Sequence, residues 1–378
     1  MTEQSALPIE RFFCHNSACP DHGKRGHGNV YFRGFSGREK QIRMVYCRTC
    51  KKSSSERKGT ALERSRLSPD KAICVLDHVR EGIGIRATSR LTGVSRDTVS
   101  RYIALAGDQA KKLHDELVAF SPLTREVQFD EKWNFIAKKE KNCDPADAGD
   151  ADKGDDWDHT AVDPESRLLL VVIPGERSAE NCKKAVEEVH DRTDGRGAML
   201  LTSDGYAAYA TAIENVYGVL VQPERKPGPG RPPSPRREMP AGLVYATVTK
   251  RREGGRVVEV TRAVVFGLAC LLAVWLRRSA VSRTINTSFV ERNNATDRHQ
   301  NGRKRRKTYC FSRSKRMYDA ATYFVSYSYN FCWPVRTLRV KGDEGWKART
   351  PAMAAGLTDH LWSLREWLTY PAKPCSPK

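Results

Sequence analysis

Apolar residues recur at helical spacing between 68 and 115, and at strand spacing from 126 onward. In the first stretch Pro69 opens a helix whose Ala72, Val75, Leu76 and Val79 fall on one stripe. RATSRLTGVSRDTVSRYI then reads as a helix, a turn at Gly93 and a second helix capped by Ser95. Val99, Tyr102 and Ile103 face inward there, leaving Arg96, Asp97, Ser100 and Arg101 outward. Beyond a polar break at Ser121-Pro122, REVQFDEKWNFIAKK and SRLLLVVIPGE read as strands. SAENCKKAVEEVHDR reads as a helix capped by Ser178, with Ala179, Cys182, Ala185, Val186 and Val189 on one stripe. AMLLTSD is a short strand ending at Asp204. This alternation predicts an α/β sheet. YATVTKRREGGRVVEV, residues 245–260, predicts a hairpin around Gly254-Gly255.

Successive side chains of a strand point to opposite faces. In VQFDEKWNF, Val127, Phe129, Glu131, Trp133 and Phe135 share one face, and Gln128, Asp130, Lys132 and Asn134 the other. The aromatic face is the packing face, so Glu131 needs an Arg partner or a sheet edge. Asp130 stands on the polar face. Two segments break the pattern. Residues 143–158, CDPADAGDADKGDDWD, read as a solvated acidic loop without the ligand spacing of a calcium-binding loop. Residues 222–242 read as a basic, Pro-rich linker. Its Gly230-Arg231-Pro232 either enters a DNA minor groove or is plain linker.

A length of 378 residues predicts two or three units. The formal charge of +20 changes the picture most: a chain this basic meets a polyanion, with nucleic acid ahead of an anionic membrane surface. The longest apolar run, Ala263 to Leu276, has 14 residues, too few to span a bilayer as a helix. The polar N-terminus does not read as a signal peptide. The 11 cysteines are therefore expected to be reduced, with some on metal, in a cytoplasmic, nucleoid-associated protein.

Cys14-x4-Cys19 and Cys47-x2-Cys50 are two close pairs separated by a strand-rich segment. Each pair offers two adjacent corners of a zinc tetrahedron. The first pair is loosely spaced, so His15, His22 or His27 could replace one of its thiols. Four protein ligands leave no open position, so the zinc would be structural.

A helix with short polar and basic residues near its start suits the major groove, which makes Arg96, Ser100 and Arg101 candidate DNA contacts; a plain helical hairpin is the alternative. Asp130, Asp204 and Glu291 are the candidate metal carboxylates. Acids drawn from separate elements repel unless a cation sits between them, and two Mg²⁺ or Mn²⁺ ions held so suit phosphodiester chemistry. Arg298 lies seven residues after Glu291, two helical turns, and could hold a phosphate. Each acid also has a plainer reading: a strand surface for Asp130, a turn for Asp204, a Ser288-x-x-Glu291 capping box for Glu291. From Arg277 to Arg316 there are 13 Lys or Arg and 2 acids, and Arg303, Lys304, Arg305, Arg306 and Lys307 form a phosphate-binding run.

FDEKWNFI, LTSDGYAAY and FVERNNATDRHQ…GRKRRKTYCFSRSK, in this order, resemble the DDE transposases of bacterial insertion sequences, in particular the insertion-sequence-one group. The tail RTPAMAAGLTDHLWSLREWL is similar to tails common in related transposases. The resemblance implies a zinc-ribbon-like module over 1–60, a helix-turn-helix domain over 61–118 and an RNase H-like catalytic domain over 122–378. The last carries an insertion at about 222–262 and a basic, helical C-terminal part at 277–378. It implies Asp130, Asp204 and Glu291 as the Mg²⁺ (or Mn²⁺) triad, with Arg298 as the basic residue two turns on. It implies nicking of a transposon end, then attack of its 3′-OH on target DNA, by a protein working as a dimer or higher oligomer on double-stranded DNA. A DNA-binding repressor descended from such an enzyme, and an RNase H-like nuclease or resolvase, are the alternatives.

Overall fold

The computed structural model describes residues 7–37, 41–224, 233–343 and 345–374. Gly230-Arg231-Pro232 lies outside them. The chain divides into two compact units: residues 1–117, 299–332 and 361–378 form the first, and 118–298 with 333–360 the second.

The first unit begins with three antiparallel strands, β1 (Val30–Ser36), β2 (Ile42–Cys47) and β3 (Ser53–Ser55), in that order. They pack over a small core of Phe12, Val30, Val45 and the buried thiols of Cys14, Cys19 and Cys47. Helix α1 (Pro69–Arg80) follows, capped by Ser68, and buries the expected Ala72, Val75, Leu76 and Val79. Helix α2 (Ile85–Thr92) ends at Gly93 in the left-handed conformation. Helix α3 (Arg96–Leu117) is capped at its start by the Ser95 hydroxyl, which accepts from the Thr98 amide, and buries Val99, Tyr102 and Ile103.

The second unit is built on a six-stranded mixed sheet. Its strands are β4 (Glu126–Ile136), β5 (Gly154–Val162), β6 (Leu169–Gly175), β7 (Leu200–Asp204), β10 (Val244–Glu253) and β11 (Arg256–Phe266), in the order β11-β10-β7-β4-β5-β6. β8 (Val219–Val221) and β9 (Arg236–Glu238) form a separate short pair. The expected α/β rhythm is present: α4 (Ala179–Arg192), capped by Ser178, links β6 to β7, and α5 (Ala208–Tyr217) follows β7. The buried stripe of α4 is Cys182, Ala185, Val186 and Val189, while Ala179 is exposed. The acidic stretch expected as a solvated loop over 143–158 is irregular only in its first part. From Gly154 it is β5, paired antiparallel with β4, and Asp156 and Asp158 are buried. The sequence hid this strand because its inward positions are carboxylates, and Asp158 is balanced by a lysine 26 positions away, Lys132.

The 14-residue apolar run is divided among the end of β11, a turn at Gly267 and helix α6 (Ala269–Arg278). Among the described residues no helix is long and apolar enough to cross a membrane. Helix α7 (Ser288–Gln300) carries Glu291.

Helix α8 (Lys315–Cys332) belongs with the first unit, not with the sheet that holds Asp130. The reason lies in α3. At Gly107 a Cβ would fall 2.4 Å from the backbone of Ala320, so only glycine lets the two helices close. Two turns along, the rings of His114 and Tyr327 stack at 3.6 Å. The tail adds a small pair, β12 (Val340–Gly342) with β13 (Gly345–Lys347), and helix α9 (Pro351–Ala354) to the second unit. Helix α10 (Leu364–Thr369) joins the first, where Gln109 donates to the carbonyls of Trp367 and Tyr370.

Candidate active site and zinc centre

β4 lies inside the sheet, between β5 and β7. Its two neighbouring carboxylates point oppositely, as alternation requires. Glu131 lies on the packing face, nearly fully buried, and accepts from Arg177 at 3.0 Å. Arg177 in turn lies over the ring of Tyr206, 4.1 Å from its centroid. Burial and the nearby Asp204 raise the pKa of Glu131, while Tyr209 and Arg177 oppose the rise.

The polar face packs on α7, and successive polar side chains of β4 each hold a successive turn of that helix. The side-chain oxygen of Gln128 accepts from the amides of Phe289 and Val290 at 3.0 and 3.2 Å. Those are start-of-helix donors without intrahelical partners, so a strand side chain caps the helix. The Ser288-x-x-Glu291 capping box does not form; the Glu291 carboxylate instead accepts from Thr287 at 2.7 Å. Asn294 donates to Asp130 at 2.8 Å, and its own oxygen lies 3.3 Å from the Thr160 hydroxyl, whose nearer acceptor is the Asp130 carbonyl at 3.0 Å. Lys132, fully enclosed, bridges Asp158 at 3.1 Å and Asp297. Arg298 donates to the Trp133 carbonyl at 3.0 Å.

The parallel pairing of β4 with β7 runs in step to Gln128↔Thr202. Asp130 and Asp204 each lie two residues beyond that last pair, on adjacent strands and on the same face of the sheet, and close enough for the charge of Asp204 to act on Asp130. Asp204 accepts from the Tyr206 amide at 2.9 Å. Glu291, in the first turn of α7, also accepts from Lys250 of β10. Burial raises the Glu291 pKa, but Lys250, Thr287 and, at longer range, Arg252 outweigh it and the net shift is downward. Asp130 is pushed up to about 7, mainly by burial and then by the charges of Glu131, Asp204 and Glu291, against the stabilising hydrogen bond from Asn294. Among the described residues neither Asp130 nor Asp204 has an ion pair. The nearby cations are committed elsewhere, Lys132 to Asp158 and Asp297, Arg177 to Glu131.

This donor set, carboxylate oxygens of which those of Asp130 and Asp204 have no cation of their own while Glu291 is paired with Lys250, fits a hard divalent ion such as Mg²⁺. The three carboxylates are adjacent but not drawn into a tight cluster. Among the described residues, the only group of at least three metal-type ligands within 4.8 Å of one another is Cys14, Cys19, Cys47 and Cys50. Asn294, Gln128 and Lys250 were not singled out by sequence as parts of the site. Asn294 had a signal, one turn after Glu291 and one before Arg298; Lys250 had none, because its partner is 41 residues away.

The four thiols could bind zinc. Their sulfurs stand 3.6 Å apart for Cys14 and Cys50 and 3.9 Å for Cys19 and Cys47. The edge of a tetrahedron with ~2.3 Å Zn–S bonds is about 3.8 Å. No histidine joins the group: the ring of His15 packs on Phe13 at 4.3 Å, and His27 faces Asp21. The Lys52 amide, ahead of the other donors, brings the Cys50 thiol down to about 6, while burial pushes the Cys14 thiol up. We expect one zinc per chain by metal analysis and none after Cys47→Ser. The binding free energy of such sites, about 10–16 kcal/mol, exceeds the stability of a small module, so chelation should unfold residues 7–60 in a hydrogen-exchange measurement. Unchanged protection there after complete chelation would remove the zinc from the fold.

Of the other residues singled out by sequence, Arg96 and Arg101 are exposed at the start of α3 and Ser100 is half-buried, donating to the Arg96 carbonyl. Arg101 also donates to the Arg64 carbonyl. The basic run divides. Arg305, Arg306 and Lys307 are exposed, but Arg303 and Lys304 are 7% and 2% exposed and do not present their charges to solvent. Burial lowers the Arg303 pKa to about 10, and the Lys304 ammonium lies over the Tyr318 ring. Arg305 donates to the His299 carbonyl at 2.8 Å.

No protein-family model matches the chain, and no curated protein matches it. Among solved structures it is similar to the Mos1 Strand Transfer Complex, to a Mos1 transposase paired-end complex with left transposon end and to a pre-cleavage Mos1 transpososome. Each likeness has 14% identity and a TM-score of 0.17 and covers 40% of this chain. It spans 55%, 57% and 58% of those chains respectively, a little over half their length.

Proposed function

We propose that this chain is a DDE-type transposase that cleaves the ends of its own insertion sequence and joins the freed 3′-OH to target DNA. One observation carries the reading. Asp130 and Asp204 lie on one face of adjacent parallel strands, each two residues past the last pair and without an ion pair, and Glu291 rides a helix pinned to the first of these strands by Gln128, Asn294 and Lys132. The sheet supports it too: three antiparallel strands followed by two parallel ones is the arrangement expected of an RNase H-like core.

Asp130, Asp204 and Glu291 would hold the divalent ions, which when bound supply activation of the attacking oxygen and charge stabilisation of the leaving one. The chain's own residues do the rest. Asn294 orients the Asp130 carboxylate, and Gln128 sets where the helix begins and hence where Glu291 stands. Arg298 would exchange the Trp133 carbonyl for a DNA phosphate. Arg96, Ser100 and Arg101 on α3, with Arg305, Arg306 and Lys307, would bind duplex, and a dimer or larger assembly would bring two ends together. The zinc module would serve structure alone.

The test uses a linear duplex made from the DNA flanking the gene, with Mg²⁺ or Mn²⁺. The expected result is a nick at a defined position that appears only with metal and is lost in Asp204→Asn. Binding without cleavage under both metals would favour the repressor, and preference for branched over linear duplex the resolvase.

A further inference from the structure

β10 outlasts the sheet. Its pairing with β7 ends at Val248↔Asp204, and from Thr249 it pairs with β11 alone. The two strands run on to Gly254 and Gly255, both left-handed, as a two-residue turn between Glu253 and Arg256 demands. Residues 251–263 are all exposed. The result is a bare two-stranded ribbon, five residues of β10 beyond the sheet, about 17 Å long.

Cross-strand partners share a face. The pairs Lys250↔Val260, Arg252↔Val257 and Val248↔Arg262 define one face, and Arg251↔Glu259, Thr249↔Thr261 and Glu253↔Arg256 the other. The charges sort by face. On the second, Arg251 is neutralised by Glu253 and Glu259. The first carries Lys250, Arg252 and Arg262 with no acid, and exposed Val257 and Val260 between them. The first is also the face turned to the candidate active site, since Lys250 reaches Glu291 and Arg262 donates to the Ile285 carbonyl just before α7.

We propose that this cationic face of the ribbon is a DNA-binding surface that grips the duplex beside the reacting bond. Resting on the reading above, it names the partner as double-stranded DNA of the substrate itself. A two-stranded ribbon fits the major groove. Its length matches about five base pairs at ~3.4 Å each. The valines offer apolar contact to thymine methyls, and the arginines reach phosphates.

The test compares Arg252→Gln with Arg256→Gln, exposed residues on opposite faces. Binding of the full chain to a plain duplex is measured against salt without metal, so no cleavage enters. Each phosphate no longer neutralised lowers the slope of log K against log salt by about 0.9. Arg252→Gln should show that reduction and Arg256→Gln should not, with unfolding temperatures unchanged in both. Equal reductions would overturn the assignment of faces, and an unchanged slope in Arg252→Gln would overturn the proposal, even if the protein cleaves DNA. A slope lowered by Arg252→Gln in a protein that never cleaves would sink the transposase reading and leave the ribbon standing. If Val257→Ser changes only the association of the chain with itself in sedimentation, and binding is untouched, the surface belongs to a second copy and the proposal fails.

Discussion

Asp130→Asn is expected to abolish strand cleavage and leave duplex binding unchanged. Asp130 is the carboxylate on which the site depends most: half-buried, close to the charges of Glu131, Asp204 and Glu291, and held by a neutral amide rather than a cation. An amide in its place keeps the volume and a hydrogen-bonding oxygen but removes the charge a divalent ion requires. Several kcal/mol of transition-state stabilisation then go, a rate factor on the order of 10³ or more. The check is single-turnover cleavage of the flanking-sequence duplex beside a binding titration at the same salt. Glu131→Gln, one residue along, is the contrast. It strips Arg177 of its partner on the opposite face, so it should lower the unfolding temperature and leave cleavage measurable. If Glu131→Gln kills cleavage in a well-folded protein while Asp130→Asn does not, the two faces of β4 are reversed.

Lys132→Met should be the most destabilising single change in the second unit. The ammonium is enclosed between Asp158 and Asp297, and their attraction outweighs the burial that would otherwise favour its neutral form, so its pKa is raised. Removing it takes the enclosed cation away from two buried carboxylates. Breaking a buried pair costs about 3–5 kcal/mol. In a unit of this size that is a fall of roughly 6–20 °C in unfolding temperature. The sign with pH follows. Loss of the buried cation favours protonation of the two acids in the folded variant, so the variant recovers part of its loss as pH falls. Adding Asp297→Asn to Lys132→Met should restore much of the stability at neutral pH, because one of the two like charges left facing each other is gone. A single variant as stable as the parent would mean that Lys132 is not what holds α7 to β4 and β5.

Periodicity was enough for elements that bury an apolar stripe against a polar exterior. The helices at 69–80 and 179–192 follow from it, and alternation marks β4 as a strand, although its polar face is buried under α7 rather than exterior. Spacing was enough to offer two close cysteine pairs as two edges of one tetrahedron, but it left open a histidine in place of a thiol, and only the folded module brought Cys14, Cys19, Cys47 and Cys50 together. Alternation alone separated Asp130 from Glu131. Local chemistry placed the turn at Gly254-Gly255. β5 escaped because its inward residues are acids, and burying an acid makes sense only once Lys132 is known to lie opposite. The split of the basic run escaped for the related reason that charge says nothing about exposure: Arg303 and Lys304 turn inward while Arg305 to Lys307 do not.

What the sequence by itself determined is therefore the set of parts: a cysteine module, amphipathic helices, a hydrophobic strand with one acid on each face, and a glycine turn. Each is a matter of neighbours within a few residues, where side-chain direction follows from 2.0 or 3.6 residues per repeat. Only the tertiary structure decided which part meets which. Gln128 caps a helix 161 residues downstream, Asn294 holds Asp130 across 164, and Gly107 admits α8 to the first unit. Such pairings depend on the net balance of burial and polar satisfaction over the whole chain, and no local repeat encodes it.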